Sequence, residues 1–125
     1  MTKTIDYFFA AGSPWALLGH DAFIELARKF DATVRPHPIT IIAENGAIPS
    51  KARPEPRRQY WLRDIKRWSV VRGLDLKVDS RPALADPTPA SLTIVAAILD
   101  GDDWSRLTRV LQSALWIDAA DIGLA

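Results

Sequence analysis

Thr4-Ile5-Asp6-Tyr7-Phe8-Phe9-Ala10-Ala11-Gly12-Ser13-Pro14-Trp15-Ala16-Leu17-Leu18-Gly19 reads as a strand that passes through a short turn straight into a helix. Lys3 to Ala10 is rich in aromatic and β-branched residues with little polar alternation, the pattern of a strand covered on both faces. Ser13 suits the N-cap, where its hydroxyl oxygen accepts from an unpaired backbone N–H of the first helical turn. Pro14 suits the first helical position, where its absent N–H costs nothing and its φ already fits. A hydroxyl that accepts in this way still has a proton to donate. The free N–H groups and the helix dipole favour negative charge at the same place, so the turn reads as an anion or thiolate site. Taken by itself, the pattern serves a plain helix cap equally well.

Working outward, Trp15, Leu18, Ala22, Leu26 and Phe30 fall at steps of three and four, which predicts a helix from Ser13 to about Phe30. Thr33 to Ile42 reads as a second strand, and Pro36 and Pro38 put it at a sheet edge because neither can donate to a ladder. Strand, helix and strand in this span predict a right-handed βαβ unit with parallel strands. A loop from Glu44 to Pro56 carries Asn45-Gly46 and three prolines. A second helix is predicted from Arg57 to Arg72, closed by Gly73. Leu74 to Pro82 has no clear period. A third helix, Pro89 to Leu99, follows a cap at Asp86 or Thr88 and is apolar nearly all round, which predicts burial. The fourth, Asp103 to Trp116, has Trp104, Leu107, Leu111 and Leu115 as its inner stripe, and Ile117 to Ala125 reads as a tail.

At 125 residues the chain is expected to be one domain large enough to bury a core. It has no cysteine, which excludes a disulfide framework, a thiolate metal site and a cysteine nucleophile. His20 and His37 have no partner at ligand spacing, so no metal site is expected. Gly12 and Gly19 do not make a phosphate loop. No signal pattern or run of membrane-span length occurs, so the expected location is cytoplasmic with no membrane partner. The net charge of +1 hides an asymmetry: Lys51 to Arg81 holds ten Lys/Arg against four Asp/Glu, and the remainder six against eleven. The middle segment can therefore attract an anionic ligand while the whole stays near neutral. Arg53 to Arg72 interleaves basic and aromatic residues, a pattern that can track nucleic acid. The aromatic residues fall on the helix's apolar side and not among the charges, so no nucleic-acid partner is expected. Trp61, Trp68, Trp104 and Trp116 sit at helical spacing with other apolar residues and are assigned to core packing. Trp15, in the first turn of the first helix, is free to line a pocket.

Asp6-Tyr7-Phe8-Phe9, Ser13-Pro14-Trp15-Ala16 and Leu18-Gly19 resemble the active-site segment of the 2-hydroxychromene-2-carboxylate isomerases. These are relatives of the kappa-class glutathione transferases within the DsbA branch of the thioredoxin superfamily. Arg57 and Tyr60 with Asp64 and Arg67-Trp68, then Ala85-Asp86-Pro87-Thr88, then Ala114-Leu115-Trp116 with Asp121-Ile122 resemble successive family segments in order. The resemblance implies an α/β, thioredoxin-like (DsbA-type) fold: a βαβ unit over 1–43, and an all-helical insertion over 44–125. It further implies that the chain is C-terminally truncated and lacks the last strands of the full fold. An open edge on the first strand would then recruit another strand, and a homodimer or higher oligomer is expected through this edge or through the helices.

In redox members the positions of Ser13 and Ala16 hold cysteines, so disulfide exchange is excluded here. The resemblance implies glutathione as cofactor, with Ser13 as the catalytic residue beside its thiolate. Ser13, Pro14, Lys51 and Arg57 would bind the cofactor. Trp15, Lys51, Arg57 and Asp86 would bind a small aromatic carboxylate substrate. Lys51 and Arg57 read equally well as a solvated basic face, and Asp86 as an N-cap. The family tends to carry Asn where Lys51 falls and Lys near Ile41, which leaves the substrate itself open. Two alternatives stand beside the isomerase: a kappa-class-like glutathione transferase, and an inactive remnant that serves only as an oligomerising thioredoxin-like module.

Overall fold

The computed structural model describes residues 2–40, 44–79, 84 and 86–123. Strand β1 (Lys3–Phe9) leads to helix α1 (Pro14–Lys29) and strand β2 (Ala32–Pro38). Helices α2 (Glu55–Arg72), α3 (Thr88–Asp100) and α4 (Trp104–Trp116) follow, with a short 3-10 turn at Ser50–Ala52. The strands are parallel, in register from Lys3 opposite Ala32 to Phe9 opposite Pro38. The predicted βαβ unit is therefore present. Of the predicted second strand, Ile39 and Thr40 continue past the ladder and Ile41 and Ile42 lie outside the described residues. The remaining edge of β1 has no strand beside it among the described residues.

Local chemistry explains the helix ends. Ser13 caps α1, its oxygen accepting from Ala16 N–H at 3.2 Å, with Pro14 next as expected. Arg28 and Lys29 in the last turn complement the dipole. Helix α2 starts two residues before its predicted start, at Glu55, because Pro54 and Pro56 are both tolerated around the first turn. Gly73 ends it in the left-handed region at φ 67°. Asp103 caps α4 by accepting from Arg106 N–H at 3.0 Å.

Two buried clusters make the core. Leu17, Leu18, Ile65, Leu76, Leu115 and Trp116 join α1, α2 and α4, with Leu74, Val78 and Leu84 packed against them. Phe9, Ala11, Ala90 and Ile94 join β1 to α3. The segment after Gly73, without period in the sequence, is thus a structural strap, pinned by Lys77 N–H donating to Trp116 C=O at 2.6 Å. Each fully buried Leu or Ile in these clusters contributes about 1.5–3 kcal/mol against about 1 kcal/mol for a typical cap, so the several packed side chains outweigh the cap in orienting α1.

Several expectations are corrected. β1 is not covered on both faces: exposed and half-buried positions alternate until Phe9, and Phe8 is 63% exposed, so the described residues cover one face of the strand. The buried side of α1 runs through Pro14, Leu17, Leu18, His20 and Ala27, while Leu26 and Phe30 are exposed. Helix α3 buries one face, Ala90, Ser91, Ile94 and Ala97, and leaves Leu92 and Leu99 exposed. Trp68 is an exposed residue with the Arg72 guanidinium 5.7 Å from its ring, not a core residue. Trp116 is nearly fully buried and Trp61 and Trp104 are partly so, in keeping with their core assignment.

Candidate active site

Pro14 at N1 and the buried run Leu17-Leu18 fasten α1 to the core, and this fixes the turn before it. Ser13 N–H donates to Ala10 C=O at 3.1 Å, and Leu17 N–H donates to Ser13 C=O at 3.2 Å. The Trp116 indole Nε1 donates to Gly12 C=O at 3.1 Å. Gly12 leaves little space beside it, since a Cβ there would lie 2.6 Å from Leu84 Cδ2. Ser13 is thereby held half-buried, with its oxygen used by the helix and no acceptor for its proton among the described residues.

That hydroxyl opens onto a cleft of about 830 Å³ between the start of α1 and the first half of α2. Gly12, Ser13, Pro14 and Trp15 form one wall, and Arg53, Arg57, Tyr60, Trp61 and Asp64 the other. Thr40, Ala47, Ile48, Pro49, Pro87 and Trp116 complete the lining. The volume lies in the range of small-molecule sites, and the mixture of aromatic walls with a few charges suits an amphipathic anion. A second, apolar groove of about 550 Å³ lies between β1 and α1, lined by Tyr7, Phe9 and Phe23 among others. Ser13 and Trp15 border both spaces. Tyr7 stacks on Phe9 at 4.8 Å and meets Phe23 tilted at 4.5 Å, and burial pushes its phenol above the ordinary value.

Four residues chosen from the sequence, Ser13, Pro14, Trp15 and Arg57, share this cleft. Lys51 does not line it; it is exposed in the 3-10 turn within the loop before α2. Asp86 does not line it either. Its Oδ1 accepts from Thr88 N–H at 2.9 Å, and that backbone hydrogen bond holds its carboxyl below the ordinary range. Asp86 is thus used as the turn before α3, while its neighbour Pro87 reaches the cleft. Ala85, part of the same sequence motif, lies outside the described residues.

Arg53, Tyr60, Trp61 and Asp64 were not selected as ligand-facing, yet all line the cleft. Arg57, Tyr60, Trp61 and Asp64 follow the i, i+3, i+4, i+7 spacing of one helical face, the signal that locates them together. Trp61 serves two purposes, packing against the core cluster and walling the cleft. His20, read as isolated, is 2% exposed and hydrogen-bonded through Nε2 to Ser105 Oγ at 3.0 Å. Among the described residues no group of side chains could hold a metal ion, and no helix is long and apolar enough to cross a membrane.

The sequence matches the DsbA-like thioredoxin domain family over residues 4–125. A 2-hydroxychromene-2-carboxylate isomerase of Sphingobium xenophagum is 30% identical over 96 residues, 74% of this chain and 49% of that protein. The chain therefore spans about half the length of the curated relative it matches. A solved structure of 2-hydroxychromene-2-carboxylate isomerase superposes with a TM-score of 0.70 at 18% identity, covering 97% of this chain and 60% of the other. That likeness concerns the fold, and it agrees with the parallel strands joined by α1 and the helices that follow them. With nearly the whole sequence matched and its topology shared, the chain belongs to the DsbA-like thioredoxin domain family.

Proposed function

We propose that the chain is a glutathione-dependent isomerase of the 2-hydroxychromene-2-carboxylate type. The observation that supports this most is the Ser13 hydroxyl: it caps α1 through its oxygen, lines the cleft, and keeps its proton unassigned. The donor set fits a thiol tripeptide bearing carboxylates. A hydroxyl donor and a helix N-terminus favour a sulfur anion, and Arg57 pairs with no carboxylate among the described residues. Bound glutathione would supply a thiolate that adds reversibly to a conjugated double bond, which is single long enough to rotate before elimination restores it.

The chain's own residues would do the rest. Ser13 donates its O–H towards the sulfur position and lowers the thiol pKa, without becoming a covalent nucleophile. Pro14 has no N–H and the Ala16 N–H is taken by the Ser13 oxygen, which leaves the Ser13 O–H and the Trp15 N–H as donors for an anion at the first turn. Arg57 balances carboxylate charge by charge-assisted hydrogen bonds. Trp15, Tyr60 and Trp116 bound an aromatic ring and displace water from it.

Isomerisation of 2-hydroxychromene-2-carboxylate, followed with and without glutathione for wild type and Ser13→Ala, tests the reading. Loss of an N-cap costs about 1 kcal/mol, so the variant is expected to stay folded. Glutathione-dependent turnover that falls at least about 100-fold in Ser13→Ala supports the assignment, on the scale of removing one preorganised donor. Turnover without glutathione, or unchanged by the substitution, refutes it.

A further inference from the structure

Four of the ten basic side chains of the basic segment are paired among the described residues. Arg58 pairs with Glu55, Lys66 with Asp79, Lys77 with Asp75, and Arg67 approaches Asp64 at 3.6 Å. Two guanidinium groups in the cleft, those of Arg53 and Arg57, have no carboxylate partner among the described residues. Of these, Arg53 is the one held in place. Its Nε donates to Ile48 C=O at 3.1 Å, and its guanidinium lies 5.7 Å from the centre of the Trp61 ring. Stacking on an aromatic face and a hydrogen bond at Nε leave both Nη groups with no acceptor among the described residues. An arginine fixed by its stem and presenting free Nη donors is pre-ordered for a carboxylate, so less freedom is lost on binding. Asp64, the acid that also lines the cleft, is drawn towards Arg67, so the wall around Arg53 carries excess positive charge.

We propose that Arg53, braced by Ile48 and Trp61, is the residue that clamps a ligand carboxylate in the cleft and sets its preference for anionic over neutral ligands. The role belongs to Arg53 and not to Lys51, whose side chain lies outside the lining. Trp61 and Ile48 act as positioning residues. The inference rests on the proposed function for its place in a reaction, but the binding property stands apart from it. Two carboxylates could fill the clamp, one from an aromatic substrate and one from glutathione.

Calorimetric titration of the whole chain with cinnamate, with shape-matched neutral cinnamamide, and with glutathione separates them. The variants are Arg53→Ala, Arg53→Lys and Arg63→Ala, the last removing one charge from an exposed position on α2 that does not line the cleft. Wild type is expected to bind cinnamate about 10- to 100-fold more tightly than cinnamamide, the scale of a charge-assisted hydrogen bond. Arg53→Ala abolishes that preference, Arg53→Lys restores part of it, and Arg63→Ala leaves it intact. Loss confined to cinnamate assigns the clamp to the substrate, and loss confined to glutathione assigns it to the cofactor. An Arg53→Ala protein that binds both anions like wild type, or an equal loss in Arg63→Ala, overturns the proposal. The cinnamate comparison reads out even if glutathione does not bind, so failure of the isomerase reading and failure of the clamp are distinguishable.

Discussion

The Trp116 indole donates to the Gly12 carbonyl at 3.1 Å, tying the last residue of α4 to the turn that presents Ser13, 103 residues earlier in the chain. The hydrogen bond sits beside the buried cluster of Leu17, Ile65 and Leu115, so the position of Ser13 is set by the far end of the described chain as much as by its own helix.

Trp116→Phe removes the donor, leaves a carbonyl unpaired and opens a small cavity. It is expected to cost about 2–4 kcal/mol in urea unfolding and to weaken glutathione binding through the displaced turn. A fully stable variant would show that the turn is held without the indole.

Two glycines predict opposite signs. Gly19 lies inside α1 with nothing within 4 Å of where a Cβ would be, so Gly19→Ala should raise stability by about 0.5–1 kcal/mol. A Cβ on Gly123 would meet the Asp86 backbone at 2.4 Å, so Gly123→Ala should lower stability by about 1–3 kcal/mol and disturb the turn before α3. Denaturant midpoints that move in the same direction contradict this packing.

His20 makes the fold sensitive to mild acid. Burial is the main reason its imidazole titrates below the ordinary 6.5, with Asp21 and Asp103 opposing and Arg109 adding to the shift. The unfolded chain takes up this proton first, so stability falls as pH drops below 6.5 and stops falling at the depressed folded value. The slope is at most about 1.4 kcal/mol per pH unit for one group. His20→Gln should flatten the curve in that window; an unchanged curve would place the sensitivity elsewhere.

The edge of β1 with no strand beside it among the described residues, on the strand that also lines the aromatic groove, is expected to recruit a second copy of the chain. Sedimentation at micromolar concentration should show association that weakens when Tyr7→Lys places charge at the groove. A monodisperse monomer would contradict it.

Much of this arrangement was legible from the sequence, for physical reasons. Caps and breakers act locally, so Ser13-Pro14, Gly73 and Gly101 marked helix ends where they occur. Burial is a tertiary outcome, and here the sequence misled: the apolar circumference of α3 and the aromatic run of β1 met fewer neighbours than their composition suggested. The cleft divided along the same line. Ser13, Trp15 and Arg57 follow from local pattern, whereas Arg53 depends on a loop fold that brings Ile48 C=O to its Nε. Lys51 and Asp86 have the right chemistry, but one is exposed outside the cleft lining and the other is spent on Thr88 N–H.

The decisive measurement is the thiol pKa of bound glutathione, read from ultraviolet thiolate absorbance against pH for wild type and Ser13→Ala. A pKa well below that of free glutathione in wild type, returning upward in Ser13→Ala, is the predicted result. The same pKa in both proteins would contradict the central role given to the Ser13 hydroxyl.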